Sequence, residues 1–290
     1  MNFIRYLCMN FSVTMNSNII KILFLAIITV ILPVEALAAS PGAAAVSAPH
    51  VVILGDSNTS IGGDMCDNPK GWNKWFAEQF DSKSCRSYAR SGATWTHTKS
   101  TRRNPEQNTG RLADDNVVFN QIVRLIEAYN SGKQPAPDLV LIAAGTNDAW
   151  FDTKRPGLLS RTASDALNIV TTDSVSRHDP ASLTSLAEAV VYDCMMLCEA
   201  FPETRIIILT PMQSTQISAD KLERVAGVLE DCSAALGIAV IRQDKELPIR
   251  SEDERVKRHY TYDGTHTSVA GAKENGTILA QRIRELLATQ

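Results

Sequence analysis

VVILGDSNTSIGGD, Val51 to Asp64, runs four apolar residues straight into Gly-Asp-Ser-Asn and adds two more glycines. A continuous apolar run that stops at a glycine is the pattern of a strand buried on both faces, not of one wetted on alternate residues. Such a strand ending on a small acid and a serine is either an ordinary strand-to-loop turn or a platform that presents Ser57 for chemistry. The rest of the chain decides between these.

Two further continuous runs, DLVLIAAG (Asp138–Gly145) and RIIILTP (Arg205–Pro211), match the first, HVVILGD (His50–Asp56). CRSYARS (Cys85–Ser91) and IAVIRQD (Ile238–Asp244) complete the candidate strands. Segments of helical period separate them: Gly71–Phe80, Asn116–Asn130, Ser182–Phe201, Ala219–Leu236 and Ser268–Ala288. Val118, Ile122, Leu125, Ile126 and Tyr129 form a stripe on the second, and Leu222, Val225, Leu229 and Cys232 one on the fourth. Trp72, Trp75 and Phe76 read as the core face of the first. Alternating strand and helix predicts an α/β fold with one doubly wound parallel sheet. In such sheets function gathers at the carboxyl ends of the strands. One rim is therefore expected to collect Gly55-Asp56-Ser57-Asn58, Ser91-Gly92-Ala93, Gly145-Thr146-Asn147-Asp148 and Thr210-Pro211-Met212. The connections Ala93–Asn116 and Ala149–Pro180 leave from this rim and are long enough to serve as lids or pocket walls.

The start of the 290-residue chain does not read as part of the fold. Lys21 precedes ILFLAIITVILPVEALAAS, an apolar run closing on Ala36-Leu37-Ala38, the pattern of a secretory signal peptide over residues 1–38. Pro33 and Glu35 interrupt the run before it reaches the ~20 residues of a membrane span. Met15 is a second candidate start. Residues 39–290 are then expected to form a single domain, exported to a periplasm or secreted, with no stable membrane insertion after cleavage. A formal net charge of −3 supplies no basic face for nucleic acid. Oligomeric state leaves no signature.

Six cysteines are present, and Cys8 leaves with the leader. Export permits disulfides, and Cys66 with Cys85, bracketing one loop–helix segment, is the expected pair. Cys194 and Cys198, four apart on one helix, read as packing residues, with Cys232 a further partner for either. No CxxC pair is present, and the five histidines show no metal-ligand spacing, so neither metal nor cofactor is expected.

A serine becomes a nucleophile when a base lies within hydrogen-bond reach, best oriented by a third group. His266, in YDGTHTSVAG before the last helix, is the best base. Asp263, three residues earlier, is placed to hold its imidazole. Acyl transfer also needs donors for an oxyanion, and three are on offer: the Ser57 N–H, the unobstructed N–H of Gly92 and the side-chain amide of Asn147. Taken singly, Gly92 reads equally as a turn glycine and Asn147 as a loop cap. G-x-S-x-G is absent because Thr59 fills its last position, no Gly-Lys-Ser/Thr follows the glycines, and GTND lacks the histidine of a metallophosphoesterase block.

The blocks GDSN, SGAT, GTND and DGTH, in this order from Ser57 to His266, resemble the four blocks of the SGNH hydrolase superfamily, the GDSL-type esterases and lipases. The resemblance spans the chain from Val51 to the final helix. It implies a flavodoxin-like three-layer α/β/α sandwich with a five-stranded parallel sheet, and ester hydrolysis through an acyl-enzyme. It assigns Ser57 as nucleophile, His266 as base, Asp263 as orienting acid, and Ser57, Gly92 and Asn147 as the oxyanion hole. Asn58 departs from it, standing where GDSL has leucine.

The expected substrate is a small-molecule or glycan ester with a short acyl group such as acetyl. Lipase or lysophospholipase activity, or glycan binding without catalysis, are the alternatives. Trp95 and Trp150, next to the Gly92 and Asn147 blocks, either wall a substrate pocket or pack beneath the long loops. Asp148 reads as a brace for its loop, and Arg102 and Arg103 as a solvated face.

Overall fold

The computed structural model describes residues 48–105, 116–172 and 179–289. The leader therefore lies outside the described residues, as do Arg111 and His178. Five parallel strands, β1 (His50–Gly55), β2 (Ser84–Ser87), β3 (Leu139–Ala143), β4 (Arg205–Leu209) and β5 (Ala239–Ile241), pair in the order β2-β1-β3-β4-β5. All pairings are parallel, with Val51 opposite Leu139 and Leu139 opposite Arg205. This is the doubly wound order of flavodoxin-like sheets, in which the strand order reverses its direction across the sheet between β1 and β3.

The continuous apolar runs are explained by what lies on each face. Val52, Leu54, Val140, Ile142, Ile206 and Ile208 point to one core, against α3 (Val118–Asn130), α6 (Leu186–Ala200) and α7 (Ala219–Leu236). Val51, Ile53, Leu139, Leu141, Ile207 and Leu209 point to the other, against α2 (Trp72–Gln79) and α10 (Val269–Ala288). Each such side chain is worth about 1.5–3 kcal/mol when fully buried, so the alternate residues of every central strand hold a separate helical layer. Gly276 lets α10 approach α2: a Cβ there would lie 2.3 Å from the Trp72 carbonyl oxygen.

The expected stripes face inward at Val118, Ile122, Leu125, Leu222, Val225, Leu229 and Cys232, all buried, but Tyr129, at the end of the first, is 43% exposed. Trp72 and Phe76 are core. Trp75 is not: it is half-buried, with the ammonium groups of Lys74 and Lys273 over its ring. The helix expected from Ser182 begins only at Leu186, where Ser185 and Glu188 form a reciprocal capping box. Within the long connection after Ala149, the chain forms α4 (Thr146–Trp150) at its start and α5 (Ala163–Thr172), which packs on α6. Short helices α1 (Ser57–Ser60), α8 (Gln243–Glu246) and α9 (Ser251–Val256), with 3-10 turns at Asp152–Lys154 and Pro180–Ser182, complete the described elements. No helix among the described residues is long and apolar enough to cross a membrane.

The Cys66–Cys85 disulfide is corrected. The two sulfurs are neighbours at 3.5 Å but remain thiols, since a bond requires about 2.05 Å. Cys194, Cys198 and Cys232 are buried, as packing residues.

Candidate active site

β1 delivers Ser57 because its exit is tightly held. A Cβ on Gly55 would lie 2.4 Å from the Ala143 carbonyl oxygen, so only glycine lets β1 and β3 close here. Gln121 on α3 grips the same residue at both ends: its Oε1 accepts from Gly55 N and its Nε2 donates to Gly55 O, each at 2.8 Å. Asp56 then caps α1, accepting from Asn58 N at 3.1 Å. Ser57 is the first residue of that helix. Behind it, Gly62 packs against Asn73, whose Oδ1 would sit 1.8 Å from an added Cβ. The second glycine pair thus serves the close fit beneath the loop.

From the far end of the chain, the turn before α10 brings His266 to the serine. His266 Nε2 lies 2.8 Å from Ser57 Oγ, and its Nδ1 lies 2.7 Å from Asp263 Oδ2. Asp263 Oδ1 accepts from Thr265 N (2.9 Å) and His266 N (2.7 Å). Partial burial pushes the Asp263 carboxyl up, but the hydrogen bonds from His266 and Thr265 outweigh it and hold the group below the usual carboxylate range. It is therefore charged where an imidazolium would need a counter-ion. The turn is braced outside: Thr215 N donates to Gly264 O, Gln216 Nε2 to Asp263 O, and buried Glu254 accepts from the N–H groups of His259, Tyr260 and Thr261. The exposed ring of Tyr262 stacks on the His266 ring at 5.7 Å and 16°.

Gly92 and Asn147 follow β2 and β3 on the same rim. Asn147 Nδ2 donates to Ala93 O at 3.0 Å, which ties its amide to the residue after Gly92 and leaves its second N–H. Asp148, fully buried, accepts from Trp95 N (3.0 Å), Thr96 N (3.0 Å) and Thr96 Oγ1 (2.7 Å). It is the expected brace, and it locks the Gly92 and Asn147 blocks together. Ser57, Gly92 and Asn147 are all partly accessible.

The readings of the remaining residues separate. Trp95 has no exposed surface and belongs to the core under the sheet, so it does not wall a pocket. Trp150 is 42% exposed at the end of α4. Arg102 donates to the Lys99 and Thr101 carbonyls, and Arg103 approaches Glu127 at 4.0 Å. The hollow beneath the Ser57 turn, between Asp56, Thr146, Pro211 and Met212, encloses only about 10 Å³. Neither this hollow nor the larger ones of about 620 and 490 Å³ are lined by Ser57, Asp263 or His266. Among the described residues no group of His, Cys, Asp and Glu side chains is disposed to hold a metal.

Asp56 supplies a stability prediction. Burial pushes its carboxyl up to about 6, against the lowering hydrogen bonds of Asn58 N–H and Thr146. A folded-state value above the unfolded 3.8 means a contribution that is full below pH 3.8 and lost as pH rises through 6. Asp56→Asn keeps the capping oxygen and cannot ionise. Its stability relative to the parent is expected to rise by on the order of 3 kcal/mol between pH 3 and pH 7, read from urea melts at the two pH values. An unchanged difference would contradict the assignment.

Hydroxyl, imidazole and carboxylate thus meet on one rim beside the Gly92 and Asn147 blocks. The GDSL-like lipase/acylhydrolase family matches residues 53–274, and the chain belongs to that family. It is therefore an ester-bond hydrolase. Solved structures share its fold at low identity. A Bacteroides uniformis protein assigned to the GDSL-like lipases aligns at 18% identity and TM-score 0.50, over 82% of this chain and 96% of its own. A Chitinophaga pinensis protein described as a possible lipase aligns at 16% and 0.51, over 82% and 98%. A Bacteroides ovatus protein, also assigned to the GDSL-like lipases, aligns at 15% and 0.51, over 82% and 99%. No curated protein sequence matches the chain.

Proposed function

We propose that this esterase works through an acyl-enzyme on Ser57 and removes short acyl groups, such as acetyl, from carbohydrate. The observation that carries the reading is the unbroken line from Ser57 Oγ through the His266 ring to Asp263, at 2.8 and 2.7 Å. His266 Nε2 takes the Ser57 proton as Oγ attacks the ester carbonyl carbon. Asp263 stabilises the imidazolium that results. The Ser57 and Gly92 N–H groups and the Asn147 amide receive the oxyanion. His266 then gives its proton to the leaving alcohol oxygen as the C–O bond breaks. Water, deprotonated by the same imidazole, attacks the acyl carbon, and the acid departs with Ser57 restored.

The short acyl group is favoured by the polar stretch that follows Gly92, Thr94–Arg103, which offers no apolar run to an alkyl chain. A sugar alcohol is favoured by the aromatic surface around the rim, where Trp150 and Tyr262 are 42% and 58% exposed. Such rings offer an apolar face to a pyranose while their polar edge stays wet. Across p-nitrophenyl esters, kcat/KM is expected to fall by about tenfold or more from acetate to decanoate, and acetylated oligosaccharides are expected to release acetate. Faster decanoate hydrolysis would replace this substrate class with a lipase one. The leader adds export to the reading, with a mature chain beginning at Ala39 as its check.

A further inference from the structure

We propose that Asn58 is a positioning residue that holds His266 against Ser57. The inference rests on the serine-esterase reading and extends it to a residue outside the triad and the oxyanion hole. Ser57 and His266 lie 209 residues apart, on turns from opposite ends of the fold. Asn58 is only 6% exposed, and both ends of its side-chain amide reach the histidine turn. Nδ2 donates to Thr265 O at 3.2 Å, and Oδ1 accepts from Thr267 N at 3.1 Å. These are the residues immediately before and after His266. The partners are a backbone carbonyl and a backbone N–H, so only one orientation of the amide satisfies both.

Its own backbone is fixed in turn, because Asn58 N donates to Asp56 Oδ1. One residue therefore couples the turn that carries the hydroxyl to the turn that carries the imidazole. The other bonds to the histidine turn that come from β4's loop and from Glu254 hold it to the rest of the fold, not to Ser57. Leucine, the residue of the GDSL block at this place, has the same branched outline, with more bulk, but neither a donor nor an acceptor. Here a paired hydrogen bond sets the register of base and nucleophile. Small errors in such a register cost rate steeply, about 100-fold for a misplacement near 1 Å.

The test is a double-mutant cycle on p-nitrophenyl acetate, with Asn58→Ala and Asn58→Leu each made in the parent and in a His266→Ala background. In the parent, each is expected to lower kcat by about 10- to 100-fold with KM within about twofold. In the His266→Ala background, the same substitutions are expected to cost less than about threefold, because nothing is left to position. Asn58→Leu keeps the branched outline of the side chain without its donor and acceptor and leaves no cavity, so with circular dichroism as the fold control it reads the lost hydrogen bonds if the alanine variant does not fold. Equal losses in both backgrounds would overturn the proposal in favour of a general structural role, and full activity of Asn58→Leu in the parent would overturn it outright. Ser57→Ala is run beside them: if it retains the parent rate, the serine reading itself fails, whereas its loss alongside a fully active Asn58→Leu sinks the Asn58 proposal alone.

Discussion

Ser57→Ala is expected to hydrolyse p-nitrophenyl acetate about 10⁴-fold more slowly than the parent chain, with its fold unchanged. The size follows from what the substitution removes. Without Oγ there is no covalent intermediate, and the imidazole 2.8 Å away has no hydroxyl to activate. What remains is catalysis by the oxyanion donors and binding, which in serine hydrolases is a small residue of the total. Stability should hardly move. Ser57 is partly exposed, and its Oγ bonds only to His266 among the described residues. Initial rates on purified protein, with circular dichroism as the fold control, check this. A loss below tenfold would mean that the ester is cleaved without Ser57.

Asp263→Asn is expected to produce the second largest loss, up to about 10⁴-fold in kcat near neutral pH. The carboxylate accepts at both oxygens: Oδ1 from the Thr265 and His266 N–H groups, and Oδ2 from His266 Nδ1. An asparagine has one oxygen and one NH2. If the oxygen stays with the two backbone donors, the NH2 faces Nδ1, which must then act as acceptor. The ring proton moves to Nε2 and points at Ser57 Oγ. A base that carries its proton on the wrong nitrogen cannot take another from the serine. The same substitution removes the counter-ion of the imidazolium. KM should change little, because Asp263 makes no contact on the rim side of the serine. Steady-state kcat and KM for the variant measure this, and an unchanged kcat would show that the orientation of His266 does not depend on Asp263.

These two residues were legible before any coordinates because their signal is local. Asp263 and His266 stand three apart, and Ser57 follows an apolar run directly. The strands were equally plain, since Val51–Leu54, Leu139–Ile142 and Ile206–Leu209 bury both faces and leave no polar alternation. The contacts that hold the site were not legible. Gln121 grips Gly55 across 66 residues, and Asn58 grips the His266 turn across 207 and 209. Bonds of such separation leave no periodicity, and a glutamine on a helix or an asparagine in a turn reads as ordinary surface. Trp95 was ambiguous for a related reason. Its neighbours Thr94 and Thr96 read as a polar loop, but Asp148 satisfies that loop from below and draws the indole into the core. Cys66 and Cys85 are expected as a disulfide and are found as neighbours without the bond, because bracketing one loop–helix segment says nothing of whether the sulfurs are joined.

The central claim is that the ester's acyl group passes through Ser57. The most direct measurement is labelling with a fluorophosphonate, which forms a stable adduct with an activated serine, followed by peptide mapping by mass spectrometry. The account predicts one adduct per chain, on the peptide that carries Ser57. That adduct should be absent from Ser57→Ala and formed far more slowly by His266→Ala. An unlabelled parent chain, or an adduct that persists undiminished in Ser57→Ala, would contradict it.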